Sequence, residues 1–334
     1  MRLPRPRGPL SAGMVTALRH PCPYELALAH VRPADAGLVH DEDFQLALWI
    51  SYELAYRGFD DVDDTWEWAP SLVAGRAVLE GRWLAALRQL VDHPGTVEPK
   101  HTPGALAELV AADDGPPLAG YLQRQATVEQ FRDFVAARSV YHLKEADPHS
   151  WGIPRLDGRA KAALVEIQAD EYGGGQVEWM HSELFRATMR ALGLNDTYGH
   201  YIDQVPAVVF AVSNTMSMFG LQRRFTGALL GHLAAFEMTS SLPNRRYGNG
   251  LRRLGFDTEA TRFYDEHVEA DAVHEQIAAH DLCGSYAEQH PDKAGDILFG
   301  AACALAVEAQ FATYLLDYWN QGRSVLATDL TPAA

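Results

Sequence analysis

The sequence predicts an all-α fold, and three observations carry that prediction. From residue 118 onward, apolar positions recur at helical spacing almost without interruption. No stretch sustains the period-2 alternation of a half-buried strand. No repeat of fixed period and no low-complexity tract points to another architecture.

The elements follow in chain order. Residues 1–40 read as an irregular leader, Arg- and Pro-rich at its start and without the apolar run of a secretory signal. Residues 43–57 read as a helix, with Leu46, Ile50 and Leu54 on one stripe. Pro70 is suited to the first turn of a helix running to about residue 91. Residues 92–117, dense in proline and glycine, read as an excursion around a short helix. Six helices are then expected at 122–143, 159–172, 177–192, 207–238, 258–287 and 295–320. Gly220, Gly227 and Gly231 are expected to interrupt the fourth, and Pro148, the run Gly173-Gly174-Gly175, Gly193 and Pro243 to separate helices. The expected organisation is an N-terminal leader and helical extension over 1–118, a helical domain over 119–326, and a tail over 327–334.

Composition narrows the function. A chain of 334 residues with 47% hydrophobic side chains can bury a substantial core. Its net charge of −16 disfavours nucleic acid or an anionic membrane as partner. Cys22, Cys283 and Cys303 are too scattered for a thiolate zinc cluster or a disulfide framework, so a reducing cytoplasm is the expected location. The apolar stretch 297–316 contains Glu308 and Gln310 and reads as a buried core helix rather than a membrane span.

The chemistry concentrates in His267-Val-Glu-Ala-Asp271-Ala-Val-His274. Positions i, i+4 and i+7 of a helix fall within about 60° of one another, so His267, Asp271 and His274 share one face. Imidazole with carboxylate is the donor set of iron, manganese or zinc rather than of calcium or magnesium. The bland alternative is a solvated face carrying a His–Asp pair.

Upstream, Glu145, Glu171, His181 and Glu237 lie near or inside apolar helical runs, where a carboxylate is costly to bury unless paired or metal-bound. Two groupings are open. A ferritin-like plan takes Glu178-x-x-His181 and Asp271-x-x-His274, with Glu145 and Glu237 as lone carboxylates, and leaves His267 unexplained. The other takes Glu145, Glu171, His181, His267, Asp271 and His274, a set able to hold two divalent metals. Glu237 is then a carboxylate orienting a ligand histidine, or an extra ligand. The triple glycine, with no strand before it and no Lys-Ser/Thr after it, reads as backbone slack that lets His181 face Glu171, not as a phosphate loop. Tyr172, Trp179, Phe236 and Tyr264 read mostly as core, some lining a pocket.

Several runs together carry a resemblance: Lys144-Glu145-Ala146-Asp147-Pro148-His149, Asp170-Glu171-Tyr172-Gly173-x-Gly175, His181-x-x-Leu184-Phe185, Gly231-His232-x-x-Ala235-Phe236-Glu237 and His267-x-x-x-Asp271-x-x-His274. Over roughly residues 120–325 the chain resembles the haem-oxygenase-like non-haem diiron oxidases and oxygenases, also called iron-containing redox enzymes. That resemblance implies a bundle of about seven core helices without haem. It implies metal ligation by Glu145, Glu171, His181, His267, Asp271 and His274, and so favours Glu171 over Glu178 as the partner of His181. It implies two Fe(II) ions, the one nearer Asp271 more labile, with manganese as the alternative metal and O2 as co-substrate. The implied substrate is a small molecule derived from an amino acid or fatty acid, undergoing N-oxygenation, desaturation, decarboxylation or C–C cleavage. A homodimer is compatible with this reading. The alternatives are a metal-binding helical protein without turnover and a haem-binding oxygenase of the same fold, which the acidic balance disfavours.

Overall fold

The computed structural model describes the chain apart from residues 27, 29, 30, 32, 93, 94, 96 and 328–334, and apart from the side chains of 269–272. The described residues form helices and turns, with no strand among them. The helices are α1 (Pro9–Leu18), α2 (Glu42–Glu53), α3 (Pro70–Leu90), α4 (Thr102–Ala111), α5 (Leu118–Arg124), α6 (Val128–His142), α7 (Asp147–Ser150), α8 (Gly158–Glu171), α9 (His181–Ala191), α10 (Ala207–Leu221), α11 (Thr226–Arg253), α12 (Thr258–Gln276), α13 (Ser285–Gln289) and α14 (Ala294–Asn320).

The centre is built on α10, α11 and α14. Every residue of α10 from Ala207 to Gly220 is buried, as expected of a helix that is apolar all round. The long helices α11 and α14 pack side by side, α12 lies against α11, and α9 lies against α12. The N-terminal α2 packs on α10, and its Phe44, Trp49 and Ile50 join the same apolar cluster as Phe134, Phe210 and Phe311. A second cluster, with Ile167, Leu230, Leu282 and Ile297, joins α8, α11 and α14. The segment Pro291–Asn320 is long and apolar enough to cross a membrane by composition, yet 56% of its apolar window is buried within the fold.

The structure departs from the expected elements at informative places. The leader contains α1, whose Leu10, Met14 and Leu18 are buried. The helix expected at 122–143 is two helices. Thr127 and Gln130 form a capping box that starts α6 afresh. Arg253 meanwhile occupies the carbonyls of Gln123 and Ala126 at the break. Gly227 and Gly231 do not break a helix; they lie inside α11, and the break falls at residues 222–225. A Cβ on Gly231 would collide with the Ile297 carbonyl of α14, and one on Gly300 with the Ala228 carbonyl of α11, so these glycines serve close helix approach. Pro243 does not separate helices either: α11 runs through it to Arg253. The helix expected at 258–287 changes after α12 into a π-helical stretch, Ile277–Gly284. The tail expected at 327–334 lies almost entirely outside the described residues.

Candidate metal centre

Four of the six expected ligands converge. Glu145, Glu171, His181 and His267 each offer one donor atom, and these atoms all lie within 4.8 Å of one another. They reach this point from four places in the chain. Glu145 sits in the turn after α6, Glu171 is the last residue of α8, His181 the first of α9, and His267 lies in the middle of α12. Sequence reasoning placed His181 inside a helix. It stands instead at the helix start, because the segment before it is a turn.

The triple glycine makes that turn. Gly173, Gly174 and Gly175 have φ of 64°, 59° and 81°, a left-handed succession that side chains with a Cβ rarely adopt. The reversal brings His181 Nδ1 to 2.9 Å from Glu171 Oε2.

That approach is close but is not a hydrogen bond. His181 Nδ1, Glu171 Oε2 and Glu145 Oε2 are all buried without a hydrogen-bond partner. Buried polar atoms left without a hydrogen bond cost about 1–3 kcal/mol each, so three at one point call for a common partner. A divalent cation satisfies all three at once, and the donor set of two carboxylates and two imidazoles suits iron or manganese. The residues therefore fit the metal.

Neighbouring groups orient these donors. His267 Nδ1 donates to the Phe263 carbonyl at 2.8 Å, which leaves Nε2 facing Glu145 Oε1 at 3.8 Å. His142, which sequence reasoning missed, donates from Nδ1 to Glu145 Oε1 at 2.7 Å and so leaves Oε2 for the metal. Its signal was its position three residues before Glu145, within one helical turn. Burial would raise the Glu145 pKa, but His142 and His267 outweigh it and hold the carboxyl below its usual range. Phe263 and Phe185 pack against His142, and Phe263 also meets His181 and His267 edge-on or tilted, closing that side to water.

The remaining two ligands fall differently. The side chain of Asp271 lies outside the described residues. His274 is buried beside the four, with Nε2 donating to Asp170 Oδ2 at 2.9 Å and Nδ1 at 3.5 Å from Glu237 Oε2. Burial would lower the His274 pKa, yet Glu237, Asp170 and Glu171 together push it up to about 9. A metal taking His274 Nδ1 must then displace a proton. Asp170 was also missed; the clue was its pairing with Glu171 at the carboxyl end of α8, an unfavourable place for two anions unless each meets a cation. Glu178 is exposed and takes no part.

Beside the cluster lies a cavity of about 280 Å³. Glu145, Glu171, Glu237 and His267 form its floor, and Phe134, Tyr141, Phe236, Tyr247 and Tyr264 contribute to its walls. Pro243 and Asn244 also line it, at the stretch where proline removes an α11 hydrogen bond. Arg138 and Glu308 pair in the wall through both guanidinium nitrogens, at 2.7 and 2.5 Å. Tyr264 is fully buried, and its hydroxyl has no partner. Sequence reasoning treated it mainly as core.

A profile of iron-containing redox enzymes matches residues 132–309. Nitrosourea synthase from Streptomyces achromogenes subsp. streptozoticus is 28% identical over 156 residues, 45% of this chain. The match spans about a third (32%) of that protein's length.

Proposed function

Because the chain belongs to the iron-containing redox enzyme family, we propose that it is an O2-activating non-haem diiron oxidase or oxygenase acting on a small organic molecule. The observation that carries this reading is the convergence of four buried donors, three of whose atoms have no hydrogen-bond partner, beside a cavity that Glu145, Glu171 and His267 line. Glu145, Glu171, His181 and His267 would hold one metal. His274, with Asp271 and Glu237, would serve the second, which we propose is the weaker site. Bound iron supplies the electrons that reduce dioxygen and the oxidising power applied to the substrate.

The chain's own residues do the rest. His142 and the Phe263 carbonyl fix the donor atoms that face inward, so little reorganisation is needed on loading. The aromatic wall excludes water from one side. The Tyr264 hydroxyl offers the substrate a hydrogen bond that the protein itself leaves unmade. The name of the nitrosourea synthase supports N-oxygenation as one outcome here. Desaturation and C–C cleavage of an amino-acid- or fatty-acid-derived substrate belong to the same proposal, with a homodimer in the cytoplasm as its setting.

Substitution of Glu171 or His181 by alanine tests the centre. Each variant is expected to lose iron-dependent O2 consumption in the presence of a candidate substrate. Turnover equal to that of the unsubstituted protein would remove these residues from the site. O2 uptake that substrate does not accelerate in the unsubstituted protein would instead favour metal storage without turnover.

A further inference from the structure

Of the four converging donors, Glu145 alone does not sit on a helix. α6 ends at His142, and the turn 143–146 continues only with isolated i, i+3 backbone bonds, among them Lys144 N–H to the Tyr141 carbonyl at 2.8 Å and Glu145 N–H to the His142 carbonyl at 3.4 Å. Ala146, inside this turn, has φ 74°, a conformation that costs a residue with a Cβ about 1–3 kcal/mol and persists only when its surroundings enforce it.

Side chains add to these backbone bonds. Arg57 donates to the Leu143 carbonyl at 3.0 Å. Gln168, one turn before Glu171 on α8, donates to the Ala146 carbonyl at 2.7 Å. Between them Lys144 Nζ meets Glu53 Oε2 at 2.9 Å, with both side chains wholly buried. The other Glu53 oxygen accepts from the Tyr198 hydroxyl at 2.7 Å. The Tyr198 ring lies under the Arg57 guanidinium at 4.2 Å, and Lys144 Nζ lies over the Tyr56 ring at 4.1 Å.

Stability alone does not account for such a pair. A buried ion pair is commonly no better for stability than apolar side chains of the same size, whereas its charges fix one geometry. Glu53 and Arg57 also lie outside the stretch matched by the family, residues 132–309. We infer that Glu53 and Arg57, at the end of α2 and just beyond it, are positioning residues of the metal centre: they lock the turn 143–146 so that the Glu145 carboxylate stays among the donors of Glu171, His181 and His267. The N-terminal extension is thus a working part of the site. This rests on the metal reading given above.

The test is Mn(II) binding to the full-length metal-free protein, followed by calorimetry and by the Mn(II) EPR signal, with thermal unfolding of the metal-free state alongside. The Glu53→Gln/Lys144→Met double variant removes the pair without stranding a charge. It is expected to unfold within a few degrees of the unsubstituted protein, yet to bind the tighter Mn(II) about tenfold more weakly or worse, the scale seen when groups that orient ligands are lost. Arg57 is exposed, so Arg57→Met keeps the fold if the double variant does not. It is expected to weaken binding several-fold and to broaden the EPR signal. Unchanged affinity in a folded variant would overturn the inference. So would a loss of affinity matched by an equal loss of metal-free stability, which marks a purely structural role. Failure of the unsubstituted protein to bind Mn(II) or Fe(II) would instead overturn the metal reading itself.

Discussion

At the scale of single residues, the site is governed by which donor atoms are left unsatisfied. The spacing of His267, Asp271 and His274 was legible in the sequence because an i, i+4, i+7 pattern has one meaning on a helix. The proximity of Glu171 and His181 was legible only through resemblance, since ten residues spanning a glycine turn have no fixed geometry until folded. The roles of Asp170 and the Tyr264 hydroxyl were not legible, because they depend on groups brought from elsewhere in the chain, and His142 was passed over although its partner Glu145 lies only three residues on. Two predictions belong here. Tyr264→Phe removes one oxygen without opening a cavity, so unfolding and Mn(II) affinity should be unchanged while substrate affinity falls about fivefold to thirtyfold, the value of a hydrogen bond of about 1–2 kcal/mol; an unaltered KM would place the hydroxyl outside the substrate's reach. The second concerns His149 and His232, buried and joined at 3.2 Å. Burial lowers the His149 pKa from 6.5 to about 4, despite the opposing charges of Glu171 and Glu145. The unfolded chain therefore binds a proton between pH 6.5 and 4 that the fold refuses, and stability is lost as pH falls through that window, by about 3 kcal/mol at most for this group. His149→Gln should flatten the dependence of the metal-free unfolding midpoint on pH between 7 and 4; parallel curves for the two proteins would show that His149 contributes nothing to it.

At the scale of elements, the helices were legible and their joints were not. Periodicity located α3, α8 and α14 to within a residue or two, since each presents a continuous apolar stripe. It did not reveal the break before α6, where a capping box and Arg253 end one ladder and begin another. It also misjudged Gly231 and Pro243, because propensity treats glycine and proline as breakers while packing uses them inside α11. Gly231 and Gly300 let α11 and α14 approach until backbone meets backbone. Gly231→Val should therefore destabilise the metal-free protein by about 3 kcal/mol or prevent folding, at the upper end of overpacking costs. Urea unfolding measures it, and a loss below about 0.5 kcal/mol would show that the helices can separate without penalty.

At the scale of the whole molecule, one apolar core runs from α2 through α10 to α14, and the donors stand where α6, α8, α9 and α12 meet. The all-α class was plain from period alone. The closure of the bundle around a cavity was not, because cavity walls are drawn from helices more than a hundred residues apart: Arg138 meets Glu308 only in the folded chain. The acidic balance of −16 leaves carboxylates enough for both a solvated surface and a buried centre, and only the fold distinguishes them. The most direct measurement is anomalous diffraction at the iron edge from crystals soaked anaerobically with Fe(II). The expected result is one well-occupied iron within about 2.0–2.3 Å of donors from Glu145, Glu171, His181 and His267, with a second, less occupied position beside His274. Iron bound elsewhere in the molecule, or no iron among those four side chains, would contradict the account.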